Sequence, residues 1–263
     1  MNPSDSLQIA HETLCHCEPP FLKYYQRGRF RHQNGVSFTG SLLPGPGFNF
    51  AACTGVTPPL ADVVAMAREF FVDPADAWGV LVAGDHGHPI EDELKTNGWT
   101  IAEHEPAYVL ADPVTAIQQF KTEPSGLIVR PMLTEADCSA FSHITGQAYC
   151  APPEFADLMM PSLAYALDPD MIWLLADWNG EPVATGGGYR VGSSGVICCL
   201  ATLDAHRGRG FGAMIMHELM KRLVAAGSNH LVLRSGPKSR PLYERLGFKY
   251  VCQHRTYVPR VDS

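Results

Sequence analysis

Arg207-Gly208-Arg209-Gly210-Phe211-Gly212 lies between an apolar run and an amphipathic one, and its reading decides the fold of the chain. Upstream, Val196 to Leu203 (Val-Ile-Cys-Cys-Leu-Ala-Thr-Leu) is too short for a helix and too apolar for a loop, so it reads as a buried strand. Downstream, Phe211, Ile215, Leu219 and Leu223 fall on one helical face and His217, Glu218, Lys221 and Arg222 on another, with Gly227 positioned to end the helix. Glycines where a helix begins let backbone N–H groups turn toward an anion, at the end where unpaired donors and the positive pole of the helix dipole already favour negative charge. The stretch therefore predicts a phosphate cradle, and a phosphorylated cofactor.

Three structures could use such a turn. A tight strand-to-helix packing turn needs only the glycines. A dinucleotide site would fit Gly208-x-Gly210-x-x-Ala213, with Arg234 about where a 2′-phosphate partner stands. Its glycines follow their strand directly, however, whereas Asp204-Ala205-His206-Arg207 intervene here, and too little chain follows residue 235 to complete a doubly wound sheet. A Walker loop is excluded because no Gly-Lys-Ser/Thr follows.

The third is an acyl-CoA site. Arg207-x-x-Gly210-x-Gly212 resembles the Arg/Gln-x-x-Gly-x-Gly/Ala signature of the GNAT acetyltransferase superfamily. Leu200-Ala201-Thr202-Leu203-Asp204-Ala205-His206 is similar to that family's fourth strand and the loop after it. His230 to Arg234 is similar to the fifth strand, and Pro241-Leu242-Tyr243-Glu244-Arg245-Leu246-Gly247-Phe248 to the Leu-Tyr-x-x-x-Gly-Phe ending. Asp204 stands where many relatives have proline. The resemblance covers roughly residues 126 to 258 and implies an α/β fold with a mixed (α+β) sheet.

The resemblance also implies site residues. Ala201, Thr202, Leu203, Arg207, Gly208, Arg209, Gly210, Phe211, Gly212, Ala213 and Ser235 would contact acetyl-CoA, mainly through the backbone, with one or both arginines neutralising phosphate. Tyr243 would be the general acid that protonates the leaving thiolate. Tyr149, Glu154 and Tyr165 come from helices that border the acceptor in this fold. No Asp or Glu lies within Gly195 to Leu203, where many relatives carry a carboxylate, so a water relay is the expected route for the amine's proton. An alkylamine of pKa about 10.4 is protonated at neutral pH and must lose a proton before it attacks a thioester.

Composition sets outer bounds. At 263 residues and 46% hydrophobic residues, the chain can fill one large core or two small ones. A net charge of −7 gives no general attraction to nucleic acid and suits a cationic amine. No segment reads as a membrane span or a secretory signal, so the expected location is the cytoplasm. The eight cysteines lack the spacing of a disulfide framework, and His11, Cys15, His16 and Cys17 make poor zinc geometry, so no metal is expected. Asp85, His86 and His88 read as a solvated Gly-rich turn.

Lys121-Thr122-Glu123-Pro124-Ser125-Gly126 reads as a junction, giving domains 1–121 and 126–263. The second half predicts strand 127–131, helices near 134–149 and 154–166, and strand 171–178. A turn at Asn179-Gly180 leads into strand 182–190. In it Gly186-Gly187-Gly188 points to a bulge or a close approach. One short stretch of the first half, Asn97-Gly98-Trp99-Thr100 through Tyr108-Val109, lines up without gaps on Leu246-Gly247-Phe248-Lys249 through Tyr257-Val258. This suggests a degenerate, accessory GNAT-like copy before a catalytic one, since Leu94 replaces Tyr243 and Phe48 to Val64 lacks the signature. The expected activity is N-acetyl transfer from acetyl-CoA to a primary amine of a small molecule, by a monomer or homodimer. The alternatives are a non-catalytic acyl-CoA-binding module and a protein N-acetyltransferase.

Overall fold

A computed structural model describes residues 2–41, 43, 45–73, 77–84, 88–121 and 124–260. Asp85 and His86 of the Gly-rich turn, and Thr122 and Glu123 of the junction, lie outside the described residues. In chain order the helices and strands begin α1 (Pro3–Leu14), β1 (Arg29–Gln33), β2 (Val36–Gly40), β3 (Phe50–Cys53), α2 (Leu60–Phe70), β4 (Gly79–Ala83), α3 (Pro89–Thr96), β5 (Trp99–Leu110) and α4 (Pro113–Gln119). They continue β6 (Leu127–Pro131), α5 (Glu135–Tyr149), α6 (Pro153–Met159), α7 (Leu163–Ala166), β7 (Met171–Trp178), β8 (Glu181–Val191) and β9 (Ser194–Thr202). Last come α8 (Phe211–Ala225), β10 (His230–Arg234), α9 (Arg240–Arg245) and β11 (Lys249–Pro259).

Compactness does not follow chain order. One unit comprises Met1–Tyr108, Arg234–Arg240 and Tyr250–Ser263, and the other Val109–Leu233 and Pro241–Lys249. The first unit thus takes in nearly all of the last strand. Within it the strands run β1-β2-β3-β4-β11-β5, and β11 pairs antiparallel with β4 from His254↔Ala83 to Tyr257↔Val80. The buried Arg255–Glu91 pair (2.5 Å) and the bond from the Tyr257 hydroxyl to Glu91 Oε1 (3.0 Å) fasten β11 to α3. In the second unit the order is β10-β9-β8-β7-β6.

The local causes are readable. Asn34-Gly35 and Asn179-Gly180 both hold positive φ (52° and 77°, 54° and 87°), the backbone that a two-residue hairpin turn of this kind requires. They join β1 to β2 and β7 to β8. Thr134 and Asp137 form a capping box at the start of α5, and Cys150 ends the helix in the left-handed region. The expected helix 154–166 is two helices, because Pro161 cannot donate to the ladder and Ser162 caps a new start.

The glycine run of β8 has a packing cause. A Cβ at Gly186 would stand 2.6 Å from Ile215 Cγ2, and one at Gly188 3.2 Å from Leu223 Cδ1, so α8 lies directly on the sheet there. On the opposite face the Trp173 indole covers Gly187. Phe211, Ile215, Met216, Leu219, Met220 and Leu223 of α8 are buried, each contributing roughly 1.5–3 kcal/mol of apolar burial.

Candidate active site

The second unit opens where β9 leaves β10. The two strands pair in parallel only from Ser194↔His230 to Val196↔Val232, although β9 continues to Thr202. On its other edge β9 keeps pairing with β8, through a register shift between Thr185 and Gly187. Opposite that shift sits Cys199 at φ 54°, a left-handed conformation uncommon for a residue with a Cβ. The bulge bends the strand just where its parallel partner is lost.

Backbone groups on the freed edge can be identified. The Leu203 N–H donates to Val183 O on the β8 side (3.0 Å), and edges alternate residue by residue. Leu200 and Thr202 therefore turn N–H and C=O toward the edge that β10 has left. The two carbonyls have partners: the Tyr149 hydroxyl donates to Leu200 O (3.1 Å) and Arg207 Nε to Thr202 O (3.2 Å).

Beyond β9 the chain makes one turn of 3-10 helix (Asp204–His206), and Gly208 and Gly210 follow at φ 77° and 86°. Gly210 is the N-cap of α8 and has no side chain to cap the first amides, which no earlier turn satisfies. Gly212 brings three elements together, since a Cβ there would lie 3.7 Å from both Thr202 Oγ1 and Leu242 Cδ2. The end of β9, the start of α8 and the helix carrying Tyr243 thus meet at one glycine. Tyr243 is buried, with its ring edge-on to Phe248 at 6.1 Å.

Residues 134–248 match the family described as Acetyltransferase (GNAT) family. This stretch is a GNAT domain. The fold of nearly the whole chain recurs in a GCN5-related N-acetyltransferase from Kribbella flavida, at 17% identity and a TM-score of 0.69, covering 98% of this chain and 96% of that one. A functionally unknown conserved protein from Staphylococcus epidermidis is similar at 15% identity and a TM-score of 0.65, over 93% and 99% of the two chains. A GCN5-related N-acetyltransferase from Sphaerobacter thermophilus matches over 100% and 96%, at 17% identity and a TM-score of 0.59. No curated protein matches the chain.

Within the GNAT domain the remaining candidates fall unevenly. Ala201, Leu203, Phe211 and Ala213 flank the turn, Ala201 and Phe211 with buried side chains, so any ligand contact from those two is through the backbone. Arg207 is spoken for: it pairs with Asp204 (2.8 Å) and also donates to Ala148 O (3.2 Å). Arg209 lies over the Trp178 ring at 4.7 Å. Glu154 is exposed in the first turn of α6. Tyr165 follows the Pro161 break and the Ser162 cap and is 3% exposed, edge-on to Trp173. Ser235 belongs to the first unit, and its hydroxyl donates to Gly236 O (3.0 Å).

Sequence reasoning missed Trp178, whose ring is braced by His206 (5.4 Å) and Phe211 (5.9 Å) beside the cradle. A tryptophan at the end of a predicted strand, one residue before an Asn-Gly turn, carried no signal of that neighbourhood. All eight cysteines are free, and the hydrogen bond with Cys199, then burial, raises the Cys198 thiol well above its ordinary value. Among the described residues no group of three or more His, Cys, Asp or Glu could hold a metal ion, and no helix is long and apolar enough to cross a membrane. His16 instead bridges Ser37 (2.7 Å) and Thr54 (2.5 Å), and His88 caps α3.

Proposed function

We propose that the GNAT domain transfers an acetyl or related acyl group from acyl-CoA to a primary amine of a small molecule. One observation carries this: β9 parts from β10 and leads, through one turn of 3-10 helix, into a helix whose N-terminal amides carry no side-chain cap. Acyl-CoA would bring the acyl group as a thioester. The α8 amides, with Gly208 and Gly210 held at positive φ, suit its diphosphate. The edge amides of Leu200 and Thr202 suit charge that develops on a carbonyl oxygen, because they are fixed before the reaction begins. Tyr243, from the helix that meets Gly212, is the proton donor to the departing sulfur. The chain's net charge of −7 favours a cationic acceptor.

The first unit is read as a degenerate GNAT-like copy with an accessory role. Its support is the recurrence of strand, strand, strand, helix, strand, helix, strand: β1-β2-β3-α2-β4-α3-β5 against β7-β8-β9-α8-β10-α9-β11. In both series the first two pairings are antiparallel and the third parallel. A cytoplasmic enzyme acting as monomer or homodimer, without a metal, completes the proposal.

The test is release of free thiol from acetyl-CoA in the presence of a panel of small amines and amine-bearing peptides. Steady turnover with a small amine is the expected result, and Tyr243→Phe should lower kcat by about 100-fold while CoA affinity is kept. Turnover on peptides alone would make the acceptor a protein. Tight CoA binding with no turnover on any amine would favour a non-catalytic acyl-CoA-binding module.

A further inference from the structure

The two arginines of the cradle have different environments. Arg207 spreads its guanidinium over three acceptors: Asp204 Oδ1 (2.8 Å), Thr202 O (3.2 Å) and Ala148 O (3.2 Å). Ala148 is in the last turn of α5, and its neighbour Tyr149 donates to Leu200 O (3.1 Å). The end of α5 is thereby tied to both carbonyls on the edge of β9 that has lost β10. A strand that gives up its parallel partner loses a row of hydrogen bonds, and these bonds replace two of them on the same edge.

Arg209 has no carboxylate partner among the described residues. Its guanidinium lies 4.7 Å above Trp178, itself braced by His206 and by Phe211, the first residue of α8. The side chain is exposed, so its charge stands one residue before the N-cap of the helix that presents free amides.

We propose that Arg209, held on the Trp178 ring, supplies the positive charge for the phosphates of the nucleotide thioester, and that Arg207 is a positioning residue that clamps the free edge of β9 to α5. This rests on the acyl-CoA function proposed above. The arginine that opens the Arg-x-x-Gly-x-Gly signature is then a fastener in this chain, because Asp204, standing where many relatives have proline, and the Thr202 and Ala148 carbonyls together hold its guanidinium. The Leu200 and Thr202 amides are set in place before any ligand arrives.

The experiment is calorimetric titration of the full chain with CoA at low and high salt, for the wild type, Arg209→Gln, Arg207→Gln and Arg207→Lys. Arg209→Gln should weaken binding at low salt by about tenfold or more and flatten the salt dependence, since an exposed charge pair is screened. Both Arg207 variants should bind CoA within about threefold of wild type and keep its salt dependence. Their thiol release should fall in kcat with KM for acetyl-CoA unchanged, and amide exchange should quicken at 198–203 and 146–151. Lysine separates the two roles, because it keeps the charge but not the planar fork that reaches three acceptors. Should Arg207→Gln flatten the salt dependence as much as Arg209→Gln, or Arg207→Lys restore wild-type kcat and exchange, the division of roles is overturned. A wild-type chain that binds no CoA overturns the proposed function and this inference with it; binding by wild type with equal losses in both variants overturns the inference alone.

Discussion

The first unit's parallel pair stays closed where the second unit's opens. β3 pairs with β4 along its whole length, Phe50↔Gly79 to Cys53↔Val82, whereas β9 keeps β10 for three residues and then runs on paired with β8 only. The helix that follows differs in the same sense. Pro59 precedes α2, and the Leu60 N–H donates to Glu93 Oε2 (2.9 Å), so a carboxylate of the chain itself fills the position of an anion. Before α8 stands Gly210, with no cap. Where α9 carries Tyr243, α3 carries Leu94, fully buried. One topology thus serves as packing in one place and as a candidate site in the other, and the switch lies in a few residues at the strand end and the helix start.

The largest effect expected from disturbing this contrast is at Gly210. Gly210→Val forces a β-branched residue into φ 86° and lays a side chain across the helix start, so calorimetry should record loss of CoA binding by more than about 100-fold. Wild-type affinity in that variant would mean the open helix start is not the phosphate site.

A smaller effect concerns acid. Burial, then the neighbouring His16 and His88, pulls His11 down to about 4; burial, then His32, lowers His16; burial, then Arg234, His11 and Arg255, holds His254 well below its ordinary value. These imidazoles stay neutral in the folded first unit and protonate near pH 6.5 when the chain unfolds. Their contribution is complete above about 6.5 and is lost as pH falls toward 4. Thermal melts should therefore give a lower Tm at pH 5 than at pH 7.5. A Tm that does not move would show the histidines to be solvated.

The smallest expected effect is at the closed helix. Glu93→Ala removes the partner of the Leu60 N–H and should cost about 1 kcal/mol by denaturant midpoint, while CoA stoichiometry stays at one per chain, because no glycine turn presents the α2 amides. Two CoA per chain would erase the contrast between the units.

Much of this was legible in the residues. The strands and helices of the second half follow from period and punctuation: Asn179-Gly180 turned as a hairpin must, and α8 ended at Gly227, at φ 97°. The bulge was foreshadowed by three glycines in a strand, though not that Cys199 would take the left-handed conformation across from them. The surroundings of Tyr165 and Arg207 were not legible, for a common reason. Whether a tyrosine faces a pocket or the core depends on a proline break and a cap four residues away, and whether an arginine is available depends on Asp204 and on carbonyls as distant as Ala148.

Sequence alone determined most of the order of elements in the second half, the Gly-rich helix start and the family of residues 134–248, because these rest on local periodicity, backbone permissiveness at glycine and motif spacing. Tertiary structure decided which unit receives the final strand, which parallel pair comes apart and which arginine is engaged by a carboxylate and two carbonyls. Those outcomes depend on partners far apart in the chain, such as Arg255 with Glu91 and Arg207 with Ala148, and no short window of residues encodes such a partner.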